Sequence, residues 1–151
     1  MRVVVQVVKH ASVMVEEKCI GKIERGFLVF LGIADTDTKE TADKMARKIC
    51  SARIFMDEKG KTNLSLADVH GSILVVSQFT LYADCRHGNR PSFTKAGKHE
   101  IAVPLYTYFM EKCREYVPVV EHGEFGADMK VELLNDGPFT LMLDSEELFG
   151  A

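Results

Sequence analysis

The 151-residue sequence predicts a mixed α/β domain with helices covering one side of the sheet structure. Three observations carry that prediction. Residues 27–33 and 72–79 are near-continuous apolar runs of strand length, the pattern of strands covered on both faces. Two other segments, after Asp37 and after Lys98, repeat their apolar residues at helical spacing. Strand-like and helix-like segments also interleave along the chain, with three strand-like stretches at its end.

Residues 3–8 read as a buried first strand. Residues 12–15 and 19–23 read as a hairpin around the polar Glu16-Glu17-Lys18 turn. The apolar run 27–33 follows, bounded by Gly26 and Asp35. Asp37 with Glu40 three residues on is a capping-box pattern that opens the first helix. Ala42, Met45, Ala46, Ile49 and Cys50 then share one face, which makes Met45 and Cys50 core residues. Residues 57–61 form a turn, and 72–79 the next strand. Residues 84–99 are a long polar loop, a length that a compact domain keeps for function. A second helix spans about 99–116, with Ile101, Leu105, Tyr108, Phe109 and Cys113 as its buried stripe and Pro104 tolerable only near its first turn. Strands near 117–121, 129–134 and 139–143 complete the fold, and the tail 145–151 receives no role. With no internal repeat, low-complexity segment or linker, residues 1–151 read as one domain.

Composition narrows the function classes. Hydrophobic content of 46% and charged content of 27% fit a soluble globular chain. No stretch approaches the roughly 20 apolar residues that span a bilayer, so no membrane partner is expected. The first apolar run is too short for a signal sequence and has no small-residue cleavage site after it. Cys19, Cys50, Cys85 and Cys113 make no CxxC pair, which points to reduced thiols in a cytoplasmic protein. The five histidines show no HxxxH or CxxH spacing, so neither a metal nor another cofactor is expected. Net charge is −3, yet the 84–99 loop sets Arg86, Arg90, Lys95 and Lys98 against Asp84 alone. A basic loop on an acidic body can hold a phosphate backbone without general adhesion to nucleic acid. A solvated surface loop is the other reading of the same charges.

Two short segments carry the chemistry. Ser77-Gln78-Phe79-Thr80-Leu81-Tyr82 closes the apolar run 73–76, and Asn135-Asp136-Gly137-Pro138-Phe139-Thr140 sits between two strand-like stretches. Gly-Pro inside strand-forming sequence is a local conflict, because proline cannot donate to a ladder and restricts the residue before it. Such conflicts persist where function needs an unusual backbone. Main-chain N–H groups leaving a sheet at Ser77–Thr80 can form an oxyanion hole for ester hydrolysis. Thr80 as a nucleophile would need a base, and no histidine or lysine lies near it in sequence. There is no GxSxG elbow, and no Ser/His/Asp or Cys/His set can be assembled. Ordinary strand-end hydrogen bonding is the other role open to Ser77 and Thr80.

These segments closely resemble SQFTL and NxGPxT, the signature motifs of the D-aminoacyl-tRNA deacylases. The resemblance continues through Gln6, Ala11-Ser12-Val13, Arg53-Ile54-Phe55, Asn63-Leu64-Ser65, Arg90-Pro91-Ser92-Phe93 and Phe125-Gly126-Ala127-Asp128-Met129, in order, from Met1 to about Asp144. It implies a three-layer α/β/β fold and a homodimer whose active sites lie at a twofold interface. It implies a trans-editing enzyme that hydrolyses the ester of D-aminoacyl-tRNA, and of Gly-mischarged tRNA, to free amino acid and tRNA. Catalysis falls to Ser77, Gln78, Phe79 and Thr80. Either Thr80 attacks, or main chain positions the ester while the ribose hydroxyl beside it assists water.

By the same resemblance Gly137 and Pro138 select chirality. A cis peptide there turns both carbonyls to the substrate's α-ammonium and leaves a wall that an L side chain strikes. Phe125, Met129, Asn135 and Thr140 are implied in substrate binding, with core packing the other role open to Phe125 and Met129. Arg86, Arg90, Lys95 and Lys98 would meet tRNA phosphates, and Phe93 would stack on a base. One departure stands out. The family usually has arginine after Gln6, thought to brace the Gly-Pro loop, and this chain has Val7. Two rival readings remain: a non-catalytic nucleic-acid-binding protein of the same fold, and an esterase acting on small amino-acid esters.

Overall fold

A central pair of parallel strands organises the molecule. The computed structural model describes residues 1–150. β3 (Gly26–Gly32) and β6 (Ser72–Ser77) lie side by side, with Val29 opposite Val75, and β7 (Val120–His122) continues the sheet parallel to β6. β1 (Arg2–Val15) runs antiparallel to β3 along its first half, then pairs with β2 (Lys18–Ile23) along its second. β8 (Lys130–Asp144) follows the other side of β1 almost from end to end, and among the described residues its own outer edge is unpaired.

The alternation of side chains along β3 and β6 divides the interior in two. Phe27, Val29, Leu31, Ile73 and Val75 face α1 (Lys39–Ser51) and α2 (His99–Arg114), where Met45, Ile49, Leu105 and Phe109 meet them. Leu28, Leu74 and Val76 face the opposite way, onto Val8, Ala11, Val13 and Ile23. Helices, central sheet and outer strands thus form three layers, and the two apolar runs of the sequence are the strands buried on both faces.

Several elements differ from the sequence expectation. The stretches 3–8 and 12–15 are one strand. Its buried positions switch from Val3, Val5 and Val7 on the helix side to Val8, Ala11 and Val13 on the other, so a single strand serves both layers. Residues 129–134 and 139–143 are likewise one strand, β8, because pairing with β1 resumes beyond the Gly-Pro. The strand expected at 117–121 is confined to Val120–His122, and β6 stops at Ser77, where Phe79–Tyr82 winds into a short 3-10 turn. The turn 57–61 joins a small hairpin, β4 (Phe55–Met56) with β5 (Thr62–Leu64), too short to register as strands in the sequence pattern.

The first helix is capped by Thr38 and Thr41 reciprocally, not by Asp37 and Glu40. Asp37 is occupied elsewhere: its carboxylate accepts from the Met1 amino group at 2.7 Å and from the Ala34 N–H at 2.8 Å. On α2, Ala102, Tyr106 and Met110 join the buried face, whereas Tyr108 is half-buried and donates its hydroxyl to Asp43 at 2.7 Å. The tail forms a one-turn helix, α3 (Ser145–Phe149), whose Ser145 is buried and hydrogen-bonded to Met1; Ala151 lies outside the described residues. Among the described residues no helix is long and apolar enough to cross a membrane.

Candidate active site

The first signature segment opens a cleft of about 270 Å³ at the C-terminal ends of β3 and β6. Ser77 ends β6 opposite Leu31, and the Gln78 N–H still donates to the Leu31 carbonyl at 2.8 Å. The chain then turns sharply over Gly32. A Cβ at Gly32 would stand 3.0 Å from both the Gln78 carbonyl and the Leu81 Cβ, so any larger residue would push the turn outward by a few tenths of an ångström. Ser77, Gln78 and Phe79 line the cleft, facing Phe125 and Met129 across it. Phe79 and Thr80 begin the 3-10 turn, where the first N–H groups have no partner within the helix.

Thr80 is exposed, and its hydroxyl accepts from the Gln78 side-chain amide. That amide is a donor and cannot take a proton from Thr80. Tyr82, at the end of the turn, is buried, and burial pushes its phenol well above the ordinary value. The cleft therefore holds main-chain amides, aromatic and aliphatic side chains and one carboxylate, Asp128, which is paired with Lys130; among the described residues no base is hydrogen-bonded to the Thr80 hydroxyl.

Phe125 stands at the boundary between cleft and core. It lines the cleft and is partly buried, edge-on to His99 at 5.4 Å and to Tyr106 at 5.8 Å. Tyr106 in turn donates to the Val75 carbonyl at 2.9 Å, which ties the aromatic set to the sheet; its phenol is also raised by burial. Met129 lines the cleft while packing against the outer apolar cluster.

The polar loop 84–99 folds back beside the cleft. Asp84 and Ser92 exchange main-chain hydrogen bonds at 2.7 and 2.9 Å, pinching it into a small hairpin. Arg86 grips the Asp84 carboxylate through two nitrogens at 2.9 and 2.7 Å, which holds that carboxyl far below its usual range. Arg86 thus closes the loop on itself. Arg90, Lys95 and Lys98 are exposed and form no ion pair among the described residues. Phe93 lies edge-to-face with Phe79, ring centroids 5.0 Å apart, so loop and signature turn share an aromatic contact at the cleft mouth.

The second signature segment is elsewhere on the chain. Gly137-Pro138 is a cis peptide on β8, solvent-exposed and not part of the cleft wall. Opposite it the ladder slips: Asn135 pairs with Val8 and Thr140 with Gln6, so residues 136–139 stand against Val7 alone. Gly137 has φ of +135°, and a Cβ there would meet the Phe139 nitrogen at 2.9 Å, which reserves the position for glycine. Asn135 and Thr140 are engaged within the chain. Asn135 Nδ2 donates to the carbonyls of Val7 (2.8 Å) and Phe139 (3.0 Å), and Thr140 Oγ1 accepts from Gln6 Nε2 at 3.2 Å. The Val7 side chain, 5% exposed, points into the helix-side core while its carbonyl faces the bulge.

Sequence reasoning missed the apolar floor of the cleft, including Leu31, Ile33 and Ala102, because buried aliphatic residues give no chemical signal. It also missed Arg2. Its guanidinium reaches Asp144 at 3.0 Å and the Leu81 carbonyl at 3.0 Å, and lies 4.6 Å from the Tyr82 ring centroid. An arginine directly before the apolar run 3–5 was the available clue. No group of three metal-ligating side chains occurs among the described residues.

Comparison with known proteins places this geometry among relatives. The family model described as D-Tyr-tRNA(Tyr) deacylase matches residues 4–144. The D-aminoacyl-tRNA deacylase of Thermosipho africanus is 54% identical over 149 residues, covering 99% of this chain and 100% of that one. The protein of the same name from Thermosipho melanesiensis is 57% identical over 150 residues, again covering 99% and 100%. Among solved structures, the c-Myc DNA Unwinding Element Binding Protein superposes with a TM-score of 0.90 at 42% identity, covering 95% of this chain and 98% of that one. A probable eukaryotic D-amino acid tRNA deacylase, at 21% identity, shares the fold with a TM-score of 0.80, covering 94% and 97%.

Proposed function

The chain belongs to the D-Tyr-tRNA(Tyr) deacylase family and is a D-aminoacyl-tRNA deacylase, a carboxylic ester hydrolase; from that premise we propose how its residues divide the work. The aminoacyl ester enters the cleft at Ser77–Thr80. The Phe79 and Thr80 amides meet the developing oxyanion, and the ribose hydroxyl next to the ester assists water. The observation that carries this reading is the company of Thr80: its hydroxyl faces the Gln78 amide and no base. A mechanism that takes its proton transfer from the substrate suits a threonine so placed.

Chirality is read by Gly137-Pro138 of a second copy. The segment is exposed on an unpaired edge strand and does not reach the cleft of its own chain, which favours delivery to a partner's cleft. Leu134 and Met142, 49% and 78% exposed on the same strand, supply apolar surface for a twofold contact. With ammonium and ester both held, a D side chain points to open space and an L side chain meets main chain. Glycine has no side chain to reject, so Gly-mischarged tRNA is also cleaved. Phe125 and Met129 receive the aminoacyl-adenosine end, and Arg90, Lys95 and Lys98 meet tRNA phosphates around the Phe79–Phe93 pair. The whole chain, residues 1–151, acts as one cytoplasmic editing domain.

Hydrolysis of D-Tyr-tRNA and L-Tyr-tRNA by purified protein tests the reading. Cleavage of the D-substrate with the L-substrate spared is expected, and equal rates would remove the chiral mechanism. The alternative, a non-catalytic nucleic-acid-binding protein of the same fold, draws on the likeness to the c-Myc DNA Unwinding Element Binding Protein. Salt-sensitive binding to duplex DNA without deacylation would favour it.

A further inference from the structure

We propose that Asn135 is the positioning residue of the Gly137-Pro138 segment, acting through the main chain and not on the substrate. This rests on the deacylase reading above and deepens it at the same site. β8 leaves its ladder after Asn135 and rejoins at Thr140, while β1 has only Val7 between the matching partners Val8 and Gln6. Four residues oppose one, so the regular rungs between the strands are interrupted there. Main-chain carbonyls left at such a bulge need partners.

Asn135 supplies them. Its Nδ2 carries two hydrogens, and the two acceptors are the Val7 carbonyl on β1 and the Phe139 carbonyl where β8 returns. One planar amide therefore ties the exit of the bulge to its return and to the neighbouring strand. Gln6 adds a weaker tie on the far flank, through Thr140 Oγ1. At the crest, Asp136 makes no side-chain hydrogen bond among the described residues, Gly137 has no side chain, and proline has no N–H. The crest is exposed and held from its base. Because both Asn135 hydrogens are spent within the chain, the residue has no donor left for the substrate. Val7 contributes through its carbonyl, a group that every residue type provides at that position.

The test uses Asn135→Asp, which keeps the side chain's shape and replaces the donor nitrogen, with both its hydrogens, by an oxygen facing two carbonyls. Hydrolysis of D-Tyr-tRNA and L-Tyr-tRNA is measured for wild type and variant, together with Tm. The D-over-L preference should fall on the order of tenfold, the scale of a lost hydrogen bond, through L-hydrolysis gaining relative to D-hydrolysis. A purely structural role would instead lower Tm and slow both substrates alike, leaving the ratio unchanged, and that result overturns the proposal. If the wild type itself fails to discriminate, the deacylase reading of Gly137-Pro138 falls and takes this role with it. Discrimination retained in a folded variant sinks the positioning role alone. Should the variant not fold, hydrogen exchange of the wild-type Asn135 side-chain amide decides. Slow exchange of both hydrogens supports the clasp, and fast exchange of either refutes it.

Discussion

The Gln78 side-chain amide donates to the Thr80 hydroxyl, two residues along the same turn. A nucleophilic hydroxyl is activated by a group that accepts its proton, and an amide nitrogen does the reverse. Thr80→Ala should therefore retain deacylase activity, with kcat within about tenfold of wild type in single-turnover assays. Loss of a true covalent nucleophile costs on the order of 10⁴-fold or more, so a collapse of that size would assign the attack to Thr80.

Gly137→Ala forces an L side chain into φ of +135° and within 2.9 Å of the Phe139 nitrogen. The backbone there must shift, at a cost of about 1–3 kcal/mol. A lower Tm and a reduced D-over-L ratio are expected together. Unchanged thermal melting would show that the bulge accommodates a methyl group freely.

The basic loop yields a contrast between its arginines. Arg86 is bound to Asp84 through two nitrogens, whereas Arg90 forms no ion pair among the described residues. Replacing Arg90 by alanine should raise KM for charged tRNA and reduce the salt slope of binding by about one. Replacing Arg86 should leave that slope nearly constant and act through loop order. Equal loss of slope in both variants would return Arg86 to the phosphate-binding set.

Alkaline stability follows from Tyr106. Burial raises its phenol above the ordinary value, and the neutral hydroxyl donates to Val75. In the unfolded chain the group loses its proton near pH ~10. Above that pH the folded state binds more protons than the unfolded state, so stability falls as pH rises. Tyr106→Phe should be less stable at neutral pH by about 1 kcal/mol and should lose stability less steeply above pH ~10. Parallel pH profiles from chemical denaturation would refute the assignment.

Much of this architecture was legible in the residues. The runs through Val29 and Val75 are apolar at every position because both faces are buried, and the helical faces through Met45 and Phe109 repeat as a packed helix must. What escaped notice depends on partners distant in sequence. Asp37 has the composition of a cap, yet the Met1 amino group claims its carboxylate, leaving Thr38 to take the helix. Gly137-Pro138 looked like a break between two strands, since nothing local shows that β1 waits beyond it to resume pairing. The strand-end position of Ser77–Thr80 is legible in the sequence, and Ser77, Gln78 and Phe79 line the cleft, but the aliphatic floor beneath them is indistinguishable from core. The resemblance implies a substrate role for Asn135, but only the folded chain shows that its amide donates to the Val7 and Phe139 carbonyls, one of them on another strand.

β1 touches both signature segments: Arg2 holds the Leu81 carbonyl at one end, and Gln6 and Val7 meet the bulge a few residues on. The two segments thus share one ruler. A substitution that slides this strand by a single notch would displace both signature segments, the proposed hydrolytic turn and the proposed stereochemical wall, in concert. In the proposed mechanism, reaction rate and handedness are therefore geared through β1.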